Sequence, residues 1–344
     1  MRRPTVVVLT ALLGAQLALA LAVAFTRSHH AAFDAKEPLL AFEPAKVDRI
    51  AIDDDTGKKV ELQKQDGKWV IPSSAGFPAD QAKVETFLNK LAALKKGWPV
   101  AETAAAAERF KVTDKVHDRR VVLSSGDNKL GELLIGTSPS YRQVHVRAGD
   151  GPDIYTVELA SYDAGSGADT WMNRSLLDTP RDKIASITVR DVTIDGKDGK
   201  FTLAGLTNDE KPLPDKIDAL ASAIAHPLFD VVQGKGKDAL AQVDNPDIEA
   251  VVKRTDGSPT TYRYKKDPAG SGYLLASSAQ DYLFRVADAE VAPIVQAKRT
   301  ALVEAPKPLA EAKPETKTEP QASVGPRNDS QASHGADPSQ RPGG

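Results

Sequence analysis

Two Asp-Gly-Lys turns, Asp66-Gly67-Lys68 and Asp198-Gly199-Lys200, stand 132 positions apart (66 to 198), and each feeds a short alternating segment, Trp69-Val70-Ile71 in one and Phe201-Thr202-Leu203 in the other. Asp-Gly suits a two-residue hairpin turn because both central positions need a positive φ. The recurrence constrains the fold more than any other feature, because whatever unit this chain builds, it builds twice. Upstream of each turn the same strand pattern returns: Pro44, Lys46, Val47, Ile50 and Ile52 in the first half, Pro180, Lys183, Ile184, Ile187 and Val189 in the second. Downstream, Val84, Phe87, Leu88, Leu91 and Leu94 recur at helical spacing after Pro78-Ala79-Asp80, and Gly97 reads as the helix stop. Ile217, Leu220 and Ile224 repeat that helix after Pro214-Asp215.

After each helix the pattern returns to strands. Segments 119–124, 129–135, 143–147 and 154–158 are predicted in the first half, and 248–254, 260–265, 273–276 and 282–286 in the second. Gly, Asp, Ser and Pro loops between them read as antiparallel meanders. The fold class that follows is α+β: a tandem repeat of two related domains, each with a small hairpin sheet, one amphipathic helix to cover it and a second meander. Domain boundaries fall at 34–177 and 178–303, sizes that suit ordinary domains. The Gly, Ser and Ala stretch 160–169 separates the halves, and 171–177 reads as a short element closing the first.

The two ends differ from this body. Thr5 to Phe25 is an uncharged run of 21 residues whose only polar amide is Gln16. As a helix it would span roughly 32 Å, enough for the hydrocarbon core of a bilayer. Arg2 and Arg3 precede it, so residues 1–27 read as a transmembrane signal-anchor with a cytoplasmic N-terminus and an extracytoplasmic or periplasmic body. The alternative is a cleaved signal peptide, for which Ala20-Leu21-Ala22 and Ala22-Val23-Ala24 offer small-x-small sites. The length of the apolar run favours the retained anchor. Residues 304–344 carry seven prolines and no aromatic, a composition that predicts a disordered tail.

The order of these features resembles a known group. Asp-Gly-Lys-Trp (66–69), the Pro-Ala-Asp-led helix with Val84 and Leu91, Leu134-Ile135-Gly136, the Tyr155 strand and Trp171-Met172-Asn173-Arg174-Ser175-Leu176-Leu177 before the second copy are similar to the bacterial domain of unknown function 4340 family, over about 44–303. The resemblance implies a membrane-anchored envelope protein, in some cases associated with gliding-type ABC transporter components. It implies no catalytic residues. One departure is at Phe110-Lys111-Val112, where family members often carry a Phe-Gly-Leu turn, and this puts that turn in question.

Composition and motifs exclude more than they nominate. Forty-five Lys plus Arg against 47 Asp plus Glu leaves a formal charge of −2, with no basic excess for nucleic acid. The absence of cysteine removes disulfides, thiolate metal sites and Cys nucleophiles. No two of the six histidines show the i, i+4 spacing of a helical zinc site. His145, between Val144 and Val146, is expected on the opposite, exposed face of its strand. Asp53-Asp54-Asp55-Thr56-Gly57 has Gly57 and Lys64 where a calcium loop needs acidic ligands, so it reads as a turn. Gly234-Lys235-Gly236-Lys237 lacks the leading glycine and following hydroxyl of a phosphate loop and reads as a flexible basic loop. Gly165-Ser166-Gly167 and Gly270-Ser271-Gly272 lack the context of a nucleophile elbow.

No catalytic, cofactor-binding or metal-ligating residue is nominated. Three residues remain as contacts for a partner or ligand: Trp98, between Gly97 and Pro99, and Tyr141 with Arg142, after Pro139-Ser140. A lid over the helix end is an equal reading of Trp98. The chain is therefore read as a non-enzymatic accessory or scaffold of an envelope or ABC-transporter complex, held in the lipid bilayer by residues 5–25. The alternative is a binding module for a cell-wall glycan or soluble ligand in the groove between the domains.

Overall fold

A computed structural model describes residues 37–149 and 151–304, together with Gln16. The expected anchor (apart from Gln16) and the tail from 305 onward lie outside the described residues, and no described helix is long and apolar enough to cross a membrane. In the first half, β1 (Arg49–Asp54), β2 (Lys59–Gln65), β3 (Lys68–Ile71) and β4 (Phe77–Pro78) precede helix α1 (Gln81–Ala93). A short helix α2 (Ala104–Arg109) then leads to β5 (Arg119–Ser125), β6 (Asn128–Ile135), β7 (Gln143–Ala148) and β8 (Ile154–Glu158). All pair antiparallel in the order β4-β3-β2-β1-β5-β6-β7-β8.

The second half follows α3 (Ala168–Trp171). It contains β9 (Ile184–Val189), β10 (Val192–Lys197), β11 (Lys200–Leu203), α4 (Pro214–Ala225), β12 (Val231–Lys235), α5 (Lys237–Leu240), β13 (Ile248–Arg254), β14 (Pro259–Lys266), β15 (Tyr273–Ser277), β16 (Tyr282–Val286) and α6 (Asp288–Val295). Its sheet runs β11-β10-β9-β13-β14-β15-β16-β12. Seven strands therefore keep one order in both sheets, and the molecule is α+β with two similar antiparallel β-sheet domains. Local chemistry explains the shared parts. Asp66 and Gly67 sit at φ 50° and 78°, Asp198 and Gly199 at 52° and 74°, the left-handed pairs that a tight hairpin requires. Val84, Phe87, Leu88 and Leu91 of α1, and Ile217, Leu220 and Ile224 of α4, turn inward and are buried.

Three expectations are corrected. The hairpin and the meander of each half are not separate sheets: the helix returns the chain so that β5 pairs along β1 (Ile52 opposite Val121) and β13 along β9 (Val252 opposite Ile187). Helix α1 stops at Ala93 rather than Gly97, because Leu94 turns extended and its carbonyl accepts from Leu39 N–H at 2.8 Å. The segment 234–237 is no flexible loop. Val231–Lys235 pairs with β16, Gly236 takes φ 84°, and Lys237 opens α5.

One buried apolar cluster runs through both halves. At the seam Phe77 of β4, fully buried, meets Phe229, Tyr282 and Phe284 at ring separations of 5.6, 5.0 and 5.8 Å, each close to edge-on. That arrangement is the favoured one for aromatic quadrupoles. Tyr282 Oη donates to Gly76 O at 3.2 Å, and Tyr262 Oη donates to Leu177 O at 2.7 Å. The groove expected between the domains is packed with these rings at this point.

Candidate functional site

The sheet edges decide where a ligand can reach backbone. β4 is two residues long and ends one side of the first sheet at the aromatic seam. β8 ends the other side. Ile154 N–H donates to Ala101 O at 2.9 Å and Ile154 O accepts from Val100 N–H at 2.7 Å, so the outer edge of β8 is paired at its first residue. Antiparallel alternation turns the same groups of Thr156 and Glu158 outward, while Tyr155 and Val157 bond to β7. Among the described residues no backbone partner meets Thr156 or Glu158 on that side.

A cleft of about 590 Å3 opens there. One wall is the end of α1 with Leu94 and Lys95; the other is Thr156 to Ala160, with Tyr162, Asp163 and Arg142 above. The volume falls in the range of ordinary ligand sites, roughly 300–1,000 Å3. Of its charges, Lys90 Nζ and Asp163 Oδ1 neutralise each other at 2.9 Å, and Asp163 also accepts from Ala160 N–H at 3.3 Å. Arg142 holds φ 55°, a conformation uncommon for a side chain of its size, and sits 5.3 Å from the Tyr141 ring centroid. Hydrogen bonding to Tyr162, and less strongly to Tyr141 with the Glu158 charge nearby, raises the Arg142 pKa above its ordinary value. Lys95 makes no ion pair among the described residues.

The structure thus places Arg142 in the lining of this cleft, whereas Tyr141, 80% exposed, stands beside Arg142 and outside that lining. Trp98, 65% exposed, lies on the segment that runs from Lys95 to Ala101, beside the cleft but not in its wall. Lys95, Glu158 and Tyr162 were missed by sequence reasoning. Tyr162 stands in the Ser, Gly and Ala stretch between the halves, in a 3-10 turn (Ser161–Ala164), and no spacing links it to Arg142, twenty positions earlier. The only available signal was an aromatic in a stretch otherwise made of small and polar residues.

The other sequence features resolve as structure. Asp54 Oδ1 accepts from Thr56 N–H, Thr56 Oγ1 and Lys58 N–H at 2.9, 2.6 and 3.0 Å, which is turn geometry. Ser166 Oγ donates to Asp54 Oδ2 at 2.6 Å, and this bond with the Thr56 bond holds the carboxyl far below the usual range. His117 Nε2 lies 3.0 Å from Asp53 Oδ2, so serine and histidine are bonded to different carboxylates and not to each other. His145 does oppose Val144 and Val146, but it is buried, because Phe110 stacks on it at 4.1 Å. No three His, Asp or Glu side chains converge as metal ligands among the described residues.

Two similar antiparallel sheets, each carrying a covering helix, define a duplicated α+β architecture. Within that class, the family described as Domain of unknown function (DUF4340) matches residues 69–267, more than half of the chain, and the chain belongs to it. No curated protein and no solved structure gives a significant match.

Proposed function

We propose that this chain is a membrane-anchored, extracytoplasmic, non-enzymatic accessory or scaffold protein, part of an envelope or ABC-transporter complex, that engages its partner through the β8 cleft. The single observation carrying the reading is the cleft itself: exposed Tyr162 and Arg142 line it, with exposed Tyr141 next to Arg142, on a sheet edge where Thr156 and Glu158 meet no backbone partner among the described residues. Exposed aromatics and arginine are the side chains that anchor partner surfaces. The uncharged run 5–25 behind Arg2 and Arg3 supports the anchor, and the family resemblance supports the envelope setting. Purification of the full chain from mild detergent tests the whole. A stoichiometric membrane partner is the expected result, and a partner-free monomer under the same conditions is the result against it.

The cleft's size also favours a second reading, a binding module for a cell-wall glycan or soluble ligand, located in the first domain instead of between the two. A thermal upshift of the full chain with envelope fragments, lost in Arg142→Ala, supports it; no shift across the fragments removes it.

A further inference from the structure

The second sheet contains the answer to what fits the first. After α4 the chain lies down as β12 along β16, with Val231 opposite Arg285, Val232 opposite Phe284, Gly234 opposite Leu283 and Lys235 opposite Tyr282. After α1 the equivalent segment approaches β8, the counterpart of β16, from the same direction, and among the described residues it forms a bridge at Ala101 with Ile154 and no ladder. Two features hold the rest away. Lys95 bridges to Pro38, and Lys96 N–H donates to Glu37 O at 2.9 Å with its ammonium on Glu37 Oε1 at 2.7 Å, which draws the segment toward the N-terminal side of the body. Antiparallel continuation from Ala101 would set Pro99 opposite Thr156, and proline has no N–H to give.

We infer that the β8 cleft is a strand-addition site: an extended peptide segment of a partner protein, carrying a carboxylate side chain, occupies the slot that β12 fills in the sister sheet. This rests on the partner-binding reading above and specifies its chemistry. The outward groups of Thr156 and Glu158 supply the ladder bonds, as at other sheet edges that accept a peptide. Among the described residues the free edge runs from Thr156 to Glu158, since Ala160 is already bonded to Asp163, and it is matched by about three extended residues at ~3.3 Å each. Charge selects the side chain. With Lys90 neutralised by Asp163, the cations Lys95 and Arg142 face the single carboxylate of Glu158, so an acidic residue completes the set.

The experiment uses the full-length chain in mild detergent and a displayed library of random ten-residue peptides. Enrichment of acidic, β-branched sequences is expected. Binding should fall at least tenfold when alternate peptide residues are N-methylated in one phase and little in the other, the period-two signature of a ladder. Thr156→Pro, which removes one outward donor while leaving the β7 side intact, and Lys95→Glu should each weaken binding at least tenfold. Failure to enrich any peptide, binders indifferent to both N-methylation phases, or a β8-to-β8 dimer in light scattering would each overturn strand addition. Recovery of a membrane partner that persists in Thr156→Pro would do so too while leaving the scaffold reading standing.

Discussion

Gly136 follows β6 at a position where no other residue fits. A Cβ there would lie 1.9 Å from Phe110 O and 2.5 Å from Lys111 O, and both are backbone atoms that cannot swing aside. In the Phe110-Lys111-Val112 turn that packs against it, Lys111 takes φ 56°, its ammonium 2.9 Å from Asp118 Oδ1. Gly136→Ala should therefore destabilise the protein by about 3 kcal/mol or more, read as a lower urea midpoint at unchanged slope. Glu210 is a different kind of residue-scale clamp. Arg299 Nε and Nη2 reach its two oxygens at 2.8 and 2.6 Å and, with Thr207 N–H at 3.0 Å, lower its pKa to about 2 from 4.5. The folded state thus binds fewer protons than the unfolded one, so this contribution is present above pH 4.5 and fades as pH falls toward 2. Glu210→Gln should be less stable than wild type at pH 7 and should lose less of its Tm between pH 6 and 3; equal losses in both proteins would refute the assignment.

At the scale of elements, sequence legibility followed turn chemistry. The hairpins at Asp66-Gly67 and Asp198-Gly199 and the meander strands could be read because their signals are local. Helix α1 could be placed because Asp80 caps it, its Oδ1 accepting from Lys83 N–H at 3.1 Å. Asp80→Ala should cost about 1 kcal/mol in denaturant unfolding. Helix α4 has Leu213 at that position, with no side-chain cap, and relies instead on Pro214 at its first turn. What could not be read was non-local. β12, with Gly and Lys at its end, has no strand signature of its own and forms because β16 offers an edge. His145 was expected to be exposed because alternation gives the face of a strand but not what covers that face, here Phe110. The candidate site divides in the same way. Tyr141 and Arg142 stood out as a loop-borne pair, whereas Lys95 and Tyr162 gained meaning only when β8 proved to be an outer strand.

Across the whole molecule, the two sheets share one apolar core and the Phe77 ring cluster. Their unfolding should therefore be coupled. All three tryptophans, Trp69, Trp98 and Trp171, belong to the first half, so their fluorescence follows that half while far-UV circular dichroism follows both. The two signals should coincide through the transition in wild type. Phe77→Ala should cost about 3–5 kcal/mol and pull the curves apart; coincident curves in the variant would place the coupling elsewhere.

By itself the sequence determined that a unit is built twice, that each unit is α+β, where its tight turns fall, and that no cysteine is present. Each of these follows from composition or from interactions within a few residues, where propensity and periodicity act. Only the tertiary structure decided that hairpin and meander merge into one sheet, that the halves share a core, and that β16 is covered by β12 while β8 is the last strand of its sheet among the described residues. Those outcomes depend on which strands meet across the chain. Nearly equal repeats diverge there because one proline and one pull toward Glu37 keep a segment off its edge.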